Sequence, residues 1–203
     1  MIKHSEENVK LHSHTPCPVQ EGDPELSFLD VIRSYPNQEM WSNMYVDGDG
    51  EWVEETILAG TLDIVHDGSY QPEVSKEVCS IAAWMRCRRS GRTLFLLFAE
   101  RSSHASSHRS EILGAVAAQL IVKAAARDKT ATYPDIPVYR DNKGVLNHGG
   151  EAEREPKEKQ SQFGVLHVMK VLVSESLVGS AFRWVKGHSV KKKDSRNAPC
   201  LKS

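Results

Sequence analysis

Residues 61–70, TLDIVHDGSY, join an apolar run to an aspartate that is followed at once by Gly68 and Ser69. The near-continuous apolar run is typical of a strand that is covered on both faces. A carboxylate inside such a strand costs free energy unless something compensates its charge. We therefore expect Asp67 to end the strand, either as the first residue of a turn or as a charge kept for a function.

The segments after residue 70 predict the rest of a mixed sheet. Apolar patterning gives strands at 77–89 and 92–101, a helix from about Ser110 to Arg127, a strand at 136–142, a short helix at 141–149, a helix within 161–176 and a strand within 179–189. Ser90 and Gly91 form the small-residue turn of a hairpin, and Ser110 suits a helix cap. Three consecutive strands followed by alternating helices and strands predict an α/β fold. Its mixed sheet has three antiparallel strands and then parallel strands, and it is covered by helices.

Charge is distributed unevenly along the chain, although the net charge is −1. Residues 1–60 contain three basic and twelve acidic residues, giving 3 − 12 = −9, whereas residues 183–203 give 7 − 1 = +6. We divide the chain into an acidic, partly disordered N-terminal arm (1–60), a domain (61–190) and a basic tail (191–203). Only the basic end suits a polyanion, although a merely solvated tail would have the same composition.

Within the arm, the sequence predicts a few short elements. SFLDVIRSYP, residues 27–36, has the pattern of a short helix that Pro36 closes. The pattern of residues 40–60 predicts a strand, a turn at DGDG (47–50) and a second extended stretch.

Several classes of protein are disfavoured by composition. No apolar run approaches the ~18 residues that cross a bilayer, and the N-terminus lacks the apolar core of a signal peptide. Cys17, Cys79, Cys87 and Cys200 are irregularly spaced, which indicates reduced thiols. We expect an intracellular protein of the nucleus or cytoplasm, without a membrane partner, that is a monomer or part of a larger polyprotein.

Three carboxylates stand next to the predicted elements: Asp67 after the first strand, Glu111 in the first turn of the long helix and Asp141 at the end of the fourth strand. If those strands are parallel neighbours, Asp67 and Asp141 share one edge of the sheet, and the helix can bring Glu111 beside them. Converging carboxylates repel one another, and Mg²⁺ or Mn²⁺ relieves that repulsion. Two such ions about 3.5–4 Å apart can promote hydrolysis of a phosphodiester.

Each carboxylate also has a purely structural explanation. Asp67 before Gly-Ser is a common turn residue. Glu111 near a helix N-terminus is favoured by the helix dipole, and Asp141 followed by Asn142 can begin a helix.

Four motifs in order resemble one known family. They are IVHDGSY (64–70), SSHRSEILGAVAA (106–118), VYRDNKGVL (138–146) and FRWVKGHS (182–189). Together they resemble the type 1 ribonuclease H domain, particularly the divergent forms found in reverse transcriptases and related retroelement (retrotransposon) proteins. The resemblance covers about residues 61–190 and implies an RNase H-like fold.

The resemblance also implies an activity and a set of site residues. The activity is metal-dependent endonucleolytic hydrolysis of the RNA strand of RNA–DNA hybrids, with two Mg²⁺ or Mn²⁺ ions bound by Asp67, Glu111 and Asp141. His188 would lie in a mobile loop and assist proton transfer and product release. The family has a fourth carboxylate on a last helix, for which this chain offers only Asp194 as a metal ligand.

Other polar residues are candidates for holding a hybrid or another nucleic-acid duplex. Backbone hydrogen bonds and phosphate contacts are assigned to Ser69, Asn142, Lys186, Lys191, Lys192 and Lys193. Two further functions stay open. One is a catalytically decayed RNase H-like module of a retroelement that binds nucleic acid, favoured by the lack of a terminal helix and carboxylate. The other is a DNA-strand-transfer enzyme, which also uses three carboxylates.

Overall fold

A computed structural model of the chain describes residues 26–140 and 162–185, apart from the side chain of Trp184. Within these ranges, no helix is both long and apolar enough to cross a membrane.

Within the described part of the chain, six strands form one sheet. They are β1 (Met44–Val46), β2 (Leu62–Tyr70), β3 (Val78–Cys87), β4 (Thr93–Arg101), β5 (Ile136–Arg140) and β6 (Ser180–Trp184). Their order across the sheet is β1-β4-β3-β2-β5-β6. Strands β2, β3 and β4 pair antiparallel, while β5 pairs parallel with both β2 and β6. The predicted α/β class is confirmed: three consecutive antiparallel strands, β2 to β4, are followed by the parallel strands β5 and β6 in one mixed sheet, with helices packed on it.

Five helices in the described ranges accompany the sheet. They are α1 (Phe28–Ser34), α2 (Gln38–Trp41), α3 (Trp52–Leu58), α4 (Ser107–Ala125) and α5 (Phe163–Glu175). Helix α4 packs on β2 and β3 through a buried run of Ala, Ile and Val side chains. Helix α5 packs on α4 in a second apolar cluster, formed by Ile112, Ala115, Val116, Leu166, Met169 and Leu172. The predicted short first helix, long helix and second long helix are confirmed.

Strand β2 buries alternate residues, so the expectation of a strand covered on both faces is wrong. Leu62, Ile64 and His66 are buried, whereas Val65 is half-buried and Asp67 is exposed. Alternation of this kind is typical of a strand with one face on the core. The hairpin between β3 and β4 forms as predicted.

Residues 28–58 pack into the core of the domain, which differs from the boundary drawn after residue 60. Strand β1 pairs with β4 at the edge of the sheet, and Phe28, Ile32 and Trp52 are buried in the cluster that contains α4. Helix α1 begins after Ser27, whose hydroxyl accepts a hydrogen bond from the Asp30 backbone amide at 3.2 Å. The body of the domain therefore includes this segment.

The predicted second extended stretch of this segment is a helix instead. Trp52, Val53, Thr56 and Ile57 are buried in α3, and their spacing places them on one helical face. The turn at 47–50 therefore joins a strand to a helix, and Gly50 supplies the positive φ of 84° that this turn needs.

Candidate active site at the crossing of β2 and α4

Asp67 lies inside β2, so the expectation that it ends the strand is wrong. Antiparallel pairing with β3 continues to Tyr70, and parallel pairing with the described residues of β5 involves Ile64 and Val65. The Asp67 side chain is exposed, and its Oδ1 accepts a hydrogen bond from the Gly68 amide at 2.9 Å. A carboxylate in this strand is tolerated because water and a backbone donor solvate it.

Glu111 lies in the second turn of α4, one turn later than predicted. The cap is Ser106, in extended conformation, whose hydroxyl accepts from the Arg109 amide at 3.1 Å. Ser110, the predicted cap, is buried within the helix and donates its hydroxyl to the Ser107 carbonyl at 2.8 Å. Glu111 is only 3% exposed, and the helix dipole alone does not explain so buried a carboxylate.

Gly68 brings the strand and the helix into direct contact. A Cβ atom at Gly68 would lie 2.6 Å from the backbone nitrogen of Glu111 and would also overlap the Ser110 hydroxyl. Because only glycine permits this approach, α4 crosses β2 immediately beside Asp67. The structure therefore brings the backbones that carry Asp67 and Glu111 together.

His66, the residue before Asp67, faces α4 from the buried side of β2. Its ring packs on Gly114, where an added Cβ would lie 3.0 Å from Nδ1. Nδ1 is 4.0 Å from Glu111 Oε2, which is too long for a hydrogen bond. Burial, with a smaller contribution from the charge of Arg140, lowers the pKa of His66 to about 3. His66 is thus neutral at pH 7, and its contact with Glu111 is not an ion pair.

Arg140, the last residue of β5, is completely buried beside these two groups. The register of Val65 with Tyr139 makes His66 and Arg140 neighbours on parallel strands. The guanidinium carbon lies 4.5 Å from the ring centroid of Phe182, a cation–π contact. Among the described residues, Nε and both terminal nitrogens of Arg140 have no hydrogen-bond partner.

Two opposing effects act on the Arg140 guanidinium. Burial lowers its pKa to about 10, and the negative charge of Glu111 opposes that shift. Arg140 therefore keeps its positive charge at pH 7. Arg140 is not among the residues predicted for the site, although Ile136, Val138 and Arg140 alternate in one strand, a spacing that places all three on one face.

Three of the predicted site residues can be placed: Asp67, Glu111 and Ser69, of which Ser69 is exposed on β2. The others, Asp141, Asn142, Lys186, His188, Lys191, Lys192, Lys193 and Asp194, lie outside the described residues. Within the described part of the chain, no group of three or more His, Cys, Asp or Glu side chains is arranged to hold a metal ion.

The described residues fit a divalent cation only in part. Asp67 and Glu111 are oxygen donors of the kind that Mg²⁺ and Mn²⁺ prefer. However, Glu111 is buried, and its negative charge already acts on the buried Arg140 guanidinium. Asp67 is therefore the more accessible oxygen donor, and Glu111 is less suited to bind a cation.

No family model matches this chain, and no curated protein matches it. Solved structures of similar fold include RNase H1 of Halobacterium salinarum, with 15% identity, a TM-score of 0.43 and coverage of 62% of this chain and 86% of that one. The N-terminal RNase H domain of a Mycobacterium tuberculosis protein shows 18% identity, a TM-score of 0.45 and coverage of 62% and 82%. LC11-RNase H1, isolated from compost, shows 12% identity, a TM-score of 0.48 and coverage of 63% and 86%. Such distant likenesses leave the activity to be judged from the residues of this chain.

Proposed function

We propose that this chain is a metal-dependent endonuclease of the ribonuclease H type, which hydrolyses the RNA strand of RNA–DNA hybrids. One observation carries the proposal: the close contact at Gly68 sets the backbone of Glu111 beside Asp67, where β2 and α4 cross. Strand β5, which runs parallel to β2, ends at Arg140, the residue before Asp141. The same proposal includes that the chain derives from a retroelement and that its site binds two metal ions.

The residues divide the work by their exposure. Asp67 is exposed and offers carboxylate oxygens to a cation at the surface, with Ser69 two residues further along the same strand. Strands with regular pairing hold both side chains at fixed positions. Bound Mg²⁺ or Mn²⁺ would supply the positive charge that lowers the pKa of an attacking water and stabilises the leaving oxygen. Asp141, Asp194 and His188 are assigned to the same site by resemblance alone.

The test is cleavage of a labelled RNA–DNA hybrid by the purified chain with Mg²⁺ or Mn²⁺. We expect wild-type protein to cut the RNA strand and Asp67→Asn to lose about 10²-fold or more in rate, since the variant removes one charge from the cation site. Asp63→Asn is the matched control, because Asp63 lies four residues earlier in β2 and pairs with Arg88 at 3.4 Å. Equal cleavage by wild type and Asp67→Asn contradicts the proposal.

A second function is favoured by the burial of Glu111, which leaves this carboxylate poorly accessible to a cation from solvent. The domain would then bind the phosphate backbone of a hybrid or duplex without cutting it, as a catalytically decayed nuclease does. Binding that weakens with salt, together with no metal-dependent cleavage by the wild type, identifies this second function.

A further inference from the structure

A fully buried guanidinium needs a compensating charge, because an isolated ion in the interior of a protein is very costly. Arg140 is 0% exposed, and Phe182 covers one face of its guanidinium at 4.5 Å. An aromatic ring contributes a modest attraction to a cation and no formal charge. The negative charge must come from elsewhere.

Glu111 is the buried carboxylate nearest to hand: His66 lies beside it on one side and is the neighbour of Arg140 on the adjoining parallel strand on the other. His66, the third buried polar group here, is neutral and adds no charge of its own. Its Nδ1 lies 4.0 Å from Glu111 Oε2, so the imidazole fills the space between β2 and α4 beside the carboxylate. The charges of Glu111 and Arg140 therefore balance within the interior of the protein.

We propose that the Arg140 guanidinium is the built-in counter-charge of Glu111, and that it takes the place of a divalent cation at this carboxylate. The inference deepens the proposed function, because it rests on Glu111 belonging to that site. The charge of Glu111 is then compensated whether or not metal is bound, and among the described residues it is Asp67 that stays open to a cation.

The stability of the metal-free protein distinguishes this arrangement from an ordinary cluster of acidic ligands. In such a cluster, replacing one carboxylate by an amide relieves repulsion and leaves stability equal or higher. In a buried ion pair, the same replacement strands the partner charge and destabilises the fold. The two arrangements therefore predict opposite signs for one substitution.

The experiment measures the Tm of the full chain in EDTA for Glu111→Gln, Arg140→Met and the double variant. We expect Glu111→Gln to lower the Tm by about 6 °C or more. The Tm of the double variant should be higher than that of Glu111→Gln. Asp67→Asn is the matched control, because it removes an exposed carboxylate of the same site, and its Tm should stay within about 2 °C of the wild type.

A single variant that does not fold, together with a double variant that does, would be the strongest support for the proposal. A Tm for Glu111→Gln at or above that of the wild type overturns the proposal. So does a double variant that is no more stable than Glu111→Gln, since the two side chains would then not be coupled.

Mn²⁺ affinity provides a second measurement that does not depend on activity. Removing a fixed positive charge beside Glu111 should strengthen Mn²⁺ binding, and we expect Arg140→Met to bind about tenfold more tightly than the wild type. Unchanged or weaker binding contradicts the inference. Hybrid cleavage without coupling between Glu111 and Arg140 would leave the proposed nuclease standing and remove only the inference. Coupling without cleavage would do the reverse.

Discussion

The guanidinium of Arg109 in α4 forms a bidentate ion pair with the carboxylate of Glu100 in β4, with two parallel hydrogen bonds. Nε donates to Oε2 at 2.6 Å, and the second donor reaches Oε1 at 2.5 Å. A further nitrogen of Arg109 donates to Gln162 Oε1 at 2.8 Å, just before α5 begins. The pair raises the pKa of Arg109. One side chain therefore links the last antiparallel strand to both long helices.

We predict that this pair stabilises the fold measurably. A double-mutant cycle with Arg109→Met and Glu100→Gln, followed by urea unfolding, should give a coupling free energy of about 1–3 kcal/mol, because the bonds are charge-assisted and half-buried. The Arg33–Asp30 pair of α1 is the matched control, since it is exposed and its atoms are 3.5 Å apart. That pair should give no measurable coupling, because solvent screens exposed charges. Equal couplings for the two pairs would contradict the prediction.

The close approach at Gly68 makes a second prediction. Gly68→Ala should lower the free energy of unfolding by about 1–3 kcal/mol, because the new methyl group overlaps backbone atoms of α4 that cannot move alone. Gly164→Ala in α5 is the control, since a Cβ there would meet no atom within 4 Å. Alanine at that helical position should leave stability unchanged or raise it by up to about 1 kcal/mol. Gly68→Ala that is as stable as the wild type would show that the two elements can separate at no cost.

The succession of strands and long helices after residue 60 could be predicted because its signals are local. Alternating or continuous apolar residues define the strands, a small-residue turn at Gly91 joins β3 to β4, and the apolar Ala-rich run defines α4. The three-strand meander then leaves few topologies to consider. The prediction of an extended stretch at 52–58 is wrong because α3 begins with an aromatic residue, Trp52, and a β-branched one, Val53. Both residue types suit a strand as well as a helix.

The environment of the candidate site could not be predicted in the same way, because it depends on contacts between distant segments. Asp67 stays inside a strand because β3, a separate segment of the chain, pairs with β2 as far as Tyr70. Arg140 looks like an ordinary strand-end cation in the sequence, and its burial follows from the positions of α4 and β6. Burial of a charge is decided by the tertiary structure that surrounds it.

His66 makes stability depend on pH in a defined direction. Its pKa in the folded protein is about 3, below the ordinary value of 6.5, and burial is the main cause. Below pH 6.5 the unfolded chain binds a proton that the folded chain refuses, so stability falls as pH drops from 6.5 towards 3. The loss should approach about 1.4 kcal/mol per pH unit in that interval. Above pH 6.5 this contribution is constant.

The measurement is urea unfolding of wild type and His66→Leu at several pH values between 4 and 8, since leucine fills much of the site without titrating. The difference between the two unfolding free energies should be flat above pH 6.5. Below it, the difference should shift in favour of His66→Leu by up to about 1.4 kcal/mol per unit. A difference that stays constant across the whole range would mean that His66 takes up its proton equally in both states.

The basic end of the chain should set the salt dependence of nucleic-acid binding. Replacing Lys186 and the run of lysines at 191–193 by serine should reduce the slope of log K against log salt by up to about 4 units, because each phosphate contact releases roughly 0.9 counterion. Arg92→Ser is the control, since Arg92 lies next to the β3–β4 turn, at the end of the sheet away from Tyr70. Fluorescence anisotropy with an RNA–DNA hybrid between 50 and 300 mM salt measures both slopes. A quadruple variant with the wild-type slope would show that these lysines do not contact phosphate, and binding would then have to be assigned to the described body of the domain.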